Sequence, residues 1–183
     1  MPFFMVITCF LEILGKALGV NKLHNDWVYN IYLVAEAGFT ITMYGYLINK
    51  YVKNYRLILF SGALLIILYI YEISVHGVFI FNNVTTATMS VLFIGYGLYY
   101  YYLLMKDEDY LKLKTYPPFW WIAGALLFYF GSTASDLYYS IVSVKIYPLF
   151  TSRHFIYIYL NIILYGFWSY SFICRYRQRK SIQ

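Results

Sequence analysis

A carboxylate and an imidazole stand one helical turn apart in the run YIYEISVHGVFIF, residues 69–81, whose remaining members are apolar, aromatic or small. If the run is helical, Glu72 and His76 at i and i+4 share a face. Three chemistries are open to such a pair: proton exchange, ligation of a metal, or recognition of a small polar or cationic ligand. Asp136 repeats the theme, closing the stretch GSTASD at residues 131–136, and Glu12 and Glu36 complete a set of four acids inside apolar runs. The other four of the eight acidic residues, Asp26, Asp107, Glu108 and Asp109, fall in polar connections.

The candidate site is narrowed by what surrounds these residues. No HExxH or comparable spacing accompanies His76, and Cys9 and Cys174 lie in separate apolar runs, so neither a metal nor a cofactor is expected and the cysteines are read as packing groups. An intramembrane enzyme would have to use Glu72, His76 or Asp136 as acid, base or ligand. No recognisable nucleophile stands with them, and the reading leans away from catalysis.

The elements that must position these groups follow from composition. A chain of 183 residues that is 62% hydrophobic and 12% charged cannot hide that much apolar surface in one soluble core. It reads as an all-α polytopic transmembrane bundle. A bilayer core about 30 Å thick takes roughly 20 apolar residues per helical crossing, and hydropathy predicts six spans, over residues 2–20, 27–49, 56–80, 84–105, 117–142 and 154–175. One integral domain, 1–175, then carries a short basic tail, 176–183. The first run lacks a basic leader and contains Glu12, so it is read as a retained helix and not a signal peptide.

Aromatic residues mark the span ends: Trp27 and Tyr29, the run YGLYYYYLL, and Phe119, Trp120 and Trp121. Most of the 24 tyrosines are accordingly anchors and packing groups. Lys and Arg set the orientation. With the N-terminus inside, the cytoplasm receives Lys50, Lys53, Arg56, Lys106, Lys112, Lys114, Arg175, Arg177, Arg179 and Lys180, whereas the outside receives only Lys16, Lys22, Lys145 and Arg153. The net charge of +6 is therefore topology and attraction to anionic headgroups. A nucleic-acid partner is not expected, because the basic residues are divided among short loops and a tail.

A charge near the centre of a membrane helix costs about 2.5–3.5 kcal/mol on insertion scales, so the four acids need pairing, protonation or water. Counting rise per residue from Arg56 puts Glu72 roughly 24 Å and His76 roughly 30 Å across, both in the outer half. Asp136 lies at comparable depth, and Glu36 sits about 13 Å below Trp27. Glu12, Glu36, Glu72, His76, Asp136 and Asn161 are thus the candidate lining of an outward-facing acidic cavity, with Thr85, Thr86, Thr88 and Ser90 as uncharged neighbours. The alternative is that each acid fastens its own helix to the next by a local hydrogen bond.

Backbone punctuation adds detail. The small residues of GSTASD favour close helix packing, or else a broken helix that turns Ser132, Ser135 and Asp136 to a ligand. Gly15 and Gly19 form a weak GxxxG match, Pro117 and Pro118 open the fifth helix, and Pro148 interrupts the connection SVKIYPLFTSRH, read as an interfacial loop.

Three stretches, PFFMVITCFLEILGKALG with HNDWVYNIYLVAEAGF, then PPFWWIAGALLFYFGSTASDLYY, then HFIYIYLNIILYGFWSY, together resemble an uncharacterised family of small polytopic membrane proteins associated with Bacteroidetes. The matching positions include Glu12, Asn25, Trp27, Tyr29, Asn30 and Glu36. The resemblance implies a seven-helix arrangement with one helix ahead of the segment at Met1, and it carries no chemistry. The function expected from the residues themselves is an integral membrane sensor or accessory subunit. Its partners would be the lipid bilayer and a cytoplasmic signalling protein, in a bacterial inner membrane with the C-terminus cytoplasmic. A small transporter or a homo-oligomeric ion or proton channel is the alternative.

Overall fold

The computed structural model describes residues 2–21, 24–53, 55–107, 112–141 and 152–180, except for the side chains at 2, 3, 16, 139–141 and 152–154. Among the described residues six α-helices form: α1 (Pro2–Val20), α2 (Asp26–Asn49), α3 (Tyr55–His76), α4 (Asn83–Lys106), α5 (Pro117–Ile141) and α6 (Ser152–Lys180), with a short 3-10 turn over Leu113–Thr115. No strand occurs among the described residues. Four helices are long and apolar enough to cross a membrane, namely α2, α3, α4 and Phe155–Lys180 of α6, which marks an integral membrane protein. Six crossings are not established. α1, whose 19 residues include Glu12, is not among the four. In α5 the apolar residues are diluted by tryptophan, tyrosine and the hydroxyls of GSTASD.

Two boundaries move. The third predicted span was drawn to residue 80, whereas α3 stops at His76 because Gly77 takes φ 82, the left-handed conformation that ends helices and that glycine adopts at least cost. The basic tail drawn as a separate segment is helical through Lys180, a direct continuation of α6. The Pro148 loop, Lys22, Lys145, Glu108 and Asp109 lie outside the described residues, as does the side chain of Arg153.

The chain divides into two compact units, Met1–Met89 and Ser90–Gln183. In the first, α1 and α2 run antiparallel: Phe4 stacks on Phe39 with ring centroids 4.0 Å apart, and the Tyr29 ring lies against Gly15. Asn25 ties the turn by donating from Nδ2 to the Gly15 carbonyl at 3.2 Å. α3 follows α2 but buries little of itself. Only Ser61, Leu65 and Glu72 are buried along its 22 residues, a narrow stripe, while Phe60, Ile66, Ile67, Ile70 and Val75 are exposed. So much bare aliphatic surface suits a helix solvated by acyl chains.

In the second unit α5 and α6 are antiparallel neighbours. Trp121 and Trp168 stack at 5.7 Å, and the Trp168 indole donates to the Trp121 carbonyl at 3.2 Å. Ser171 Oγ donates to the Pro117 carbonyl at 2.8 Å, and Gln178 Nε2 to the Thr115 carbonyl at 2.9 Å, so side chains of α6 satisfy acceptors where α5 begins. Tyr101 of α4 donates to the Phe119 carbonyl at 2.9 Å. Trp120 packs edge-on to Tyr170 at 4.8 Å and donates to the Lys114 carbonyl. Buried Cys174 points its thiol at that same carbonyl, 3.6 Å away, in keeping with a packing role; Cys9 is exposed.

Small residues set the α5–α6 spacing. A Cβ on Gly124 would lie 2.8 Å from the Phe167 Cβ, an atom fixed to the backbone, whereas a Cβ on Gly131 would meet the Leu160 methyls, which can rotate away. Gly124→Ala is therefore expected to lower stability by about 1–3 kcal/mol and Gly131→Ala by less than about 1 kcal/mol. Denaturant titration in mixed micelles checks the order; equal losses would mean that α6 is not held at the Gly124 contact.

Candidate functional site

The turn between α3 and α4, Gly77–Asn82, is irregular backbone at the end of two apolar helices, and its polar groups are not satisfied by a helix of their own. Asn30, deep in the first turns of α2 and fully buried, supplies them. Its Nδ2 donates to the carbonyls of Val78 and Ile80, both at 2.9 Å, and its Oδ1 accepts from the Asn82 amide at 3.1 Å. The Asn30 carbonyl accepts in turn from the Tyr69 hydroxyl at 3.3 Å. One side chain thus completes three backbone groups of a loop about fifty residues away.

Glu72 does the same for the start of α4. The first amides of any helix lack an intrahelical acceptor. Here Val84 N–H donates to Glu72 Oε1 at 2.9 Å, and Thr85 donates to Oε2 through its N–H at 2.7 Å and its hydroxyl at 2.6 Å. The carboxylate, 4% exposed, caps a helix other than its own, and its negative charge lies at the positive end of the α4 dipole. This answers why an acid stands in that apolar run. Glu72 is sealed by a local partner, so the arrangement observed is the fastening of one helix to the next, and its lone pairs are committed to amide and hydroxyl donors. His76 is exposed at the end of α3, within electrostatic reach of Glu72 but outside its hydrogen-bond set.

The remaining sequence-derived candidates divide between the units. In the first, Glu12 and Glu36 are half-buried, and Glu12 and Asp26 both act electrostatically on the Tyr29 hydroxyl. In the second, Asp136 is half-buried and accepts from the Tyr157 hydroxyl of α6, at 3.2 Å to Oδ1 and 3.1 Å to Oδ2. Asn161 donates from Nδ2 to the Tyr157 carbonyl at 2.9 Å, one turn back along its own helix. α5 is unbroken from Pro117 to Ile141, so the broken-helix alternative for GSTASD is not realised; Ser132 and Thr133 bond back to the Tyr129 carbonyl at 3.0 and 2.8 Å. Among the described residues no three His, Cys, Asp or Glu side chains gather as a metal set.

Two asparagines central to this geometry were not in the sequence-derived lining. Asn30 is a single amide in an apolar helix, which by itself signals only some buried hydrogen bond. Asn82 had a readable signal, since FNNVTT places asparagine ahead of a helical run in the manner of an N-cap.

Replacing Asn30 by leucine strands two carbonyls and one amide, and a buried polar group left without a partner costs about 1–3 kcal/mol. Asn30→Leu is expected to destabilise the chain by at least about 3 kcal/mol, while Asn25→Leu, which removes one bond, costs less than about 1.5 kcal/mol. Equilibrium unfolding in mixed micelles distinguishes them, and similar losses would show that the α3–α4 turn finds other partners. Comparison with protein-family models, with curated proteins and with solved structures finds no match to this chain.

Proposed function

We propose that this chain is a non-enzymatic integral membrane sensor or accessory subunit, with all six helices in the membrane, in which groups on the outward-facing side recognise a small polar or cationic ligand. The observation that supports it most is the polar junction of the first unit. Asn30, Tyr69, Glu72, Asn82 and Thr85, from α2, α3, the turn and α4, are joined by hydrogen bonds among otherwise apolar helices. Chains retain polar groups inside membrane helices for structural or functional reasons, and this junction decides where α4 starts. A ligand that altered it would move a helix.

In the first unit Glu12 and Glu36 are the acids proposed to attract the ligand, since Glu72 is occupied, with exposed His76 as a further contact; in the second unit Asp136 and Asn161 are proposed to do so by themselves. The chain is placed in a bacterial inner membrane with its C-terminus in the cytoplasm. There Lys112, Lys114, Arg175, Arg177 and Arg179, exposed around the contact of Gln178 with Thr115, would meet anionic headgroups or an acidic face of a signalling partner.

A bound ligand stabilises the state that binds it. Thermal unfolding of the detergent-solubilised chain with sodium, calcium or tetramethylammonium at millimolar concentration is expected to show stabilisation by at least one of them, lost in Glu36→Gln with Asp136→Asn. No shift with any of the three in the unaltered chain would remove the cationic-ligand reading. Cation or proton flux in proteoliposomes would replace it by transport.

A further inference from the structure

Asn82 occupies the N-cap position of α4: its carbonyl accepts the first intrahelical bond, from Thr86 N–H at 3.2 Å, and a second from the Thr86 hydroxyl at 2.7 Å. An asparagine there ordinarily accepts the second or third amide of the helix on its side-chain oxygen. Those amides belong to Val84 and Thr85, and Glu72 holds both. The Asn82 side chain is left 1% exposed with neither Oδ1 nor Nδ2 hydrogen-bonded. A buried amide without a partner is rare and unfavourable, so its place directly beside the donors it would normally cap is the notable feature of this junction.

We propose that α4 has two competing N-caps, and that protonation of Glu72 hands the Val84 and Thr85 amides over to Asn82. The step is simple in its balance. A proton from water joins one Glu72 oxygen, which then becomes a donor and ceases to accept. The charge that favoured the positive end of α4 is lost, and the remaining bonds weaken from charge-assisted to neutral. Asn82 needs only side-chain rotation to bring Oδ1 to the freed amides, since its backbone is already in the cap position and is pinned by Asn30 Oδ1. The exchange relieves one unsatisfied group as it loosens another, which is how two arrangements come to lie close in free energy. Its mechanical result is that α3 is released from the α4 N-terminus while α4 keeps its first turn. α3 is the helix to move, because so little of it is otherwise buried.

The titratable surroundings are sparse. On α3, exposed His76 stands one turn beyond Glu72, and the Tyr69 hydroxyl donates to the Asn30 carbonyl. The first two turns of α4, Asn83–Ser90, carry no titratable residue, and the first two turns of α2 carry Asp26, Tyr29 and Tyr32 around Asn30. The exchange requires no bound ligand, so it stands or falls apart from the sensing role proposed above.

Glu72→Gln mimics the neutral acid, because its amide offers one acceptor and turns a donor toward the helix start. Amide hydrogen exchange at Val84 and Thr85, in detergent micelles, is the readout. Asn82→Ala alone is expected to leave their protection unchanged, and Glu72→Gln alone to lower it by no more than roughly threefold. Glu72→Gln with Asn82→Ala is expected to lower it by roughly tenfold or more. Additive effects, or loss of protection in Glu72→Gln alone, would overturn the proposal. Because the double variant is the one at risk of misfolding, a second measurement uses only well-tolerated chains: the Asn82 side-chain carbonyl resonance in the unaltered protein should move on acidification in the direction in which Glu72→Gln moves it. A resonance that ignores both changes also overturns it.

Discussion

The polar bonds of the first unit converge on the turn between α3 and α4, where the chain leaves one apolar helix and enters another. The first amides of a helix have no acceptor of their own, and buried backbone groups must find partners in the protein. Asn30 and Glu72 meet that demand from two different helices, one for the carbonyls and amide of the turn, the other for the helix that follows. The fold of α2, α3 and α4 is consequently specified by a few directional bonds as much as by packing, which between lipid-solvated helices has no hydrophobic drive behind it.

The second unit is joined by different means. α5 and α6 approach closely at Gly124 and Gly131, stack Trp121 on Trp168, and use Ser171, Gln178 and the Trp168 indole to satisfy carbonyls near the start of α5. Dispersion over a long interface dominates there, with polar bonds at the end where α5 begins. The candidate acid of this unit, Asp136, is met by a tyrosine hydroxyl from the facing helix, so two acids singled out for the same chemistry have quite different surroundings: backbone amides for one, a phenol for the other.

Most of the architecture was legible in the residues. Helices form on all six predicted segments, because long apolar runs satisfy their own backbone as helices, though four of them are long and apolar enough to cross a membrane. The misplaced end of α3 also had a written signal, Gly77, which apolar Val78, Phe79 and Ile80 disguised as more helix. The candidate site was less legible. Acids in apolar runs can be found by inspection, and their burial can be anticipated, yet whether each faces a ligand or a neighbour depends on what lies opposite. His76, one turn from Glu72 in the sequence, ends exposed while Glu72 is buried, since the helix ends at the next residue and the chain folds back over only one of them.

What the amino-acid order determined unaided is the class of the protein, the extent of its helices and the identity of the costly groups inside them, because hydropathy, helix length and charge cost are properties of local segments. Only the tertiary structure decided the partners: that Glu72 caps α4, that Asn30 holds a turn some fifty residues on, and that Asn82 sits in a cap position already filled. Hydrogen bonds are short and directional, and which donor meets which acceptor is settled by how helices distant in sequence are brought side by side.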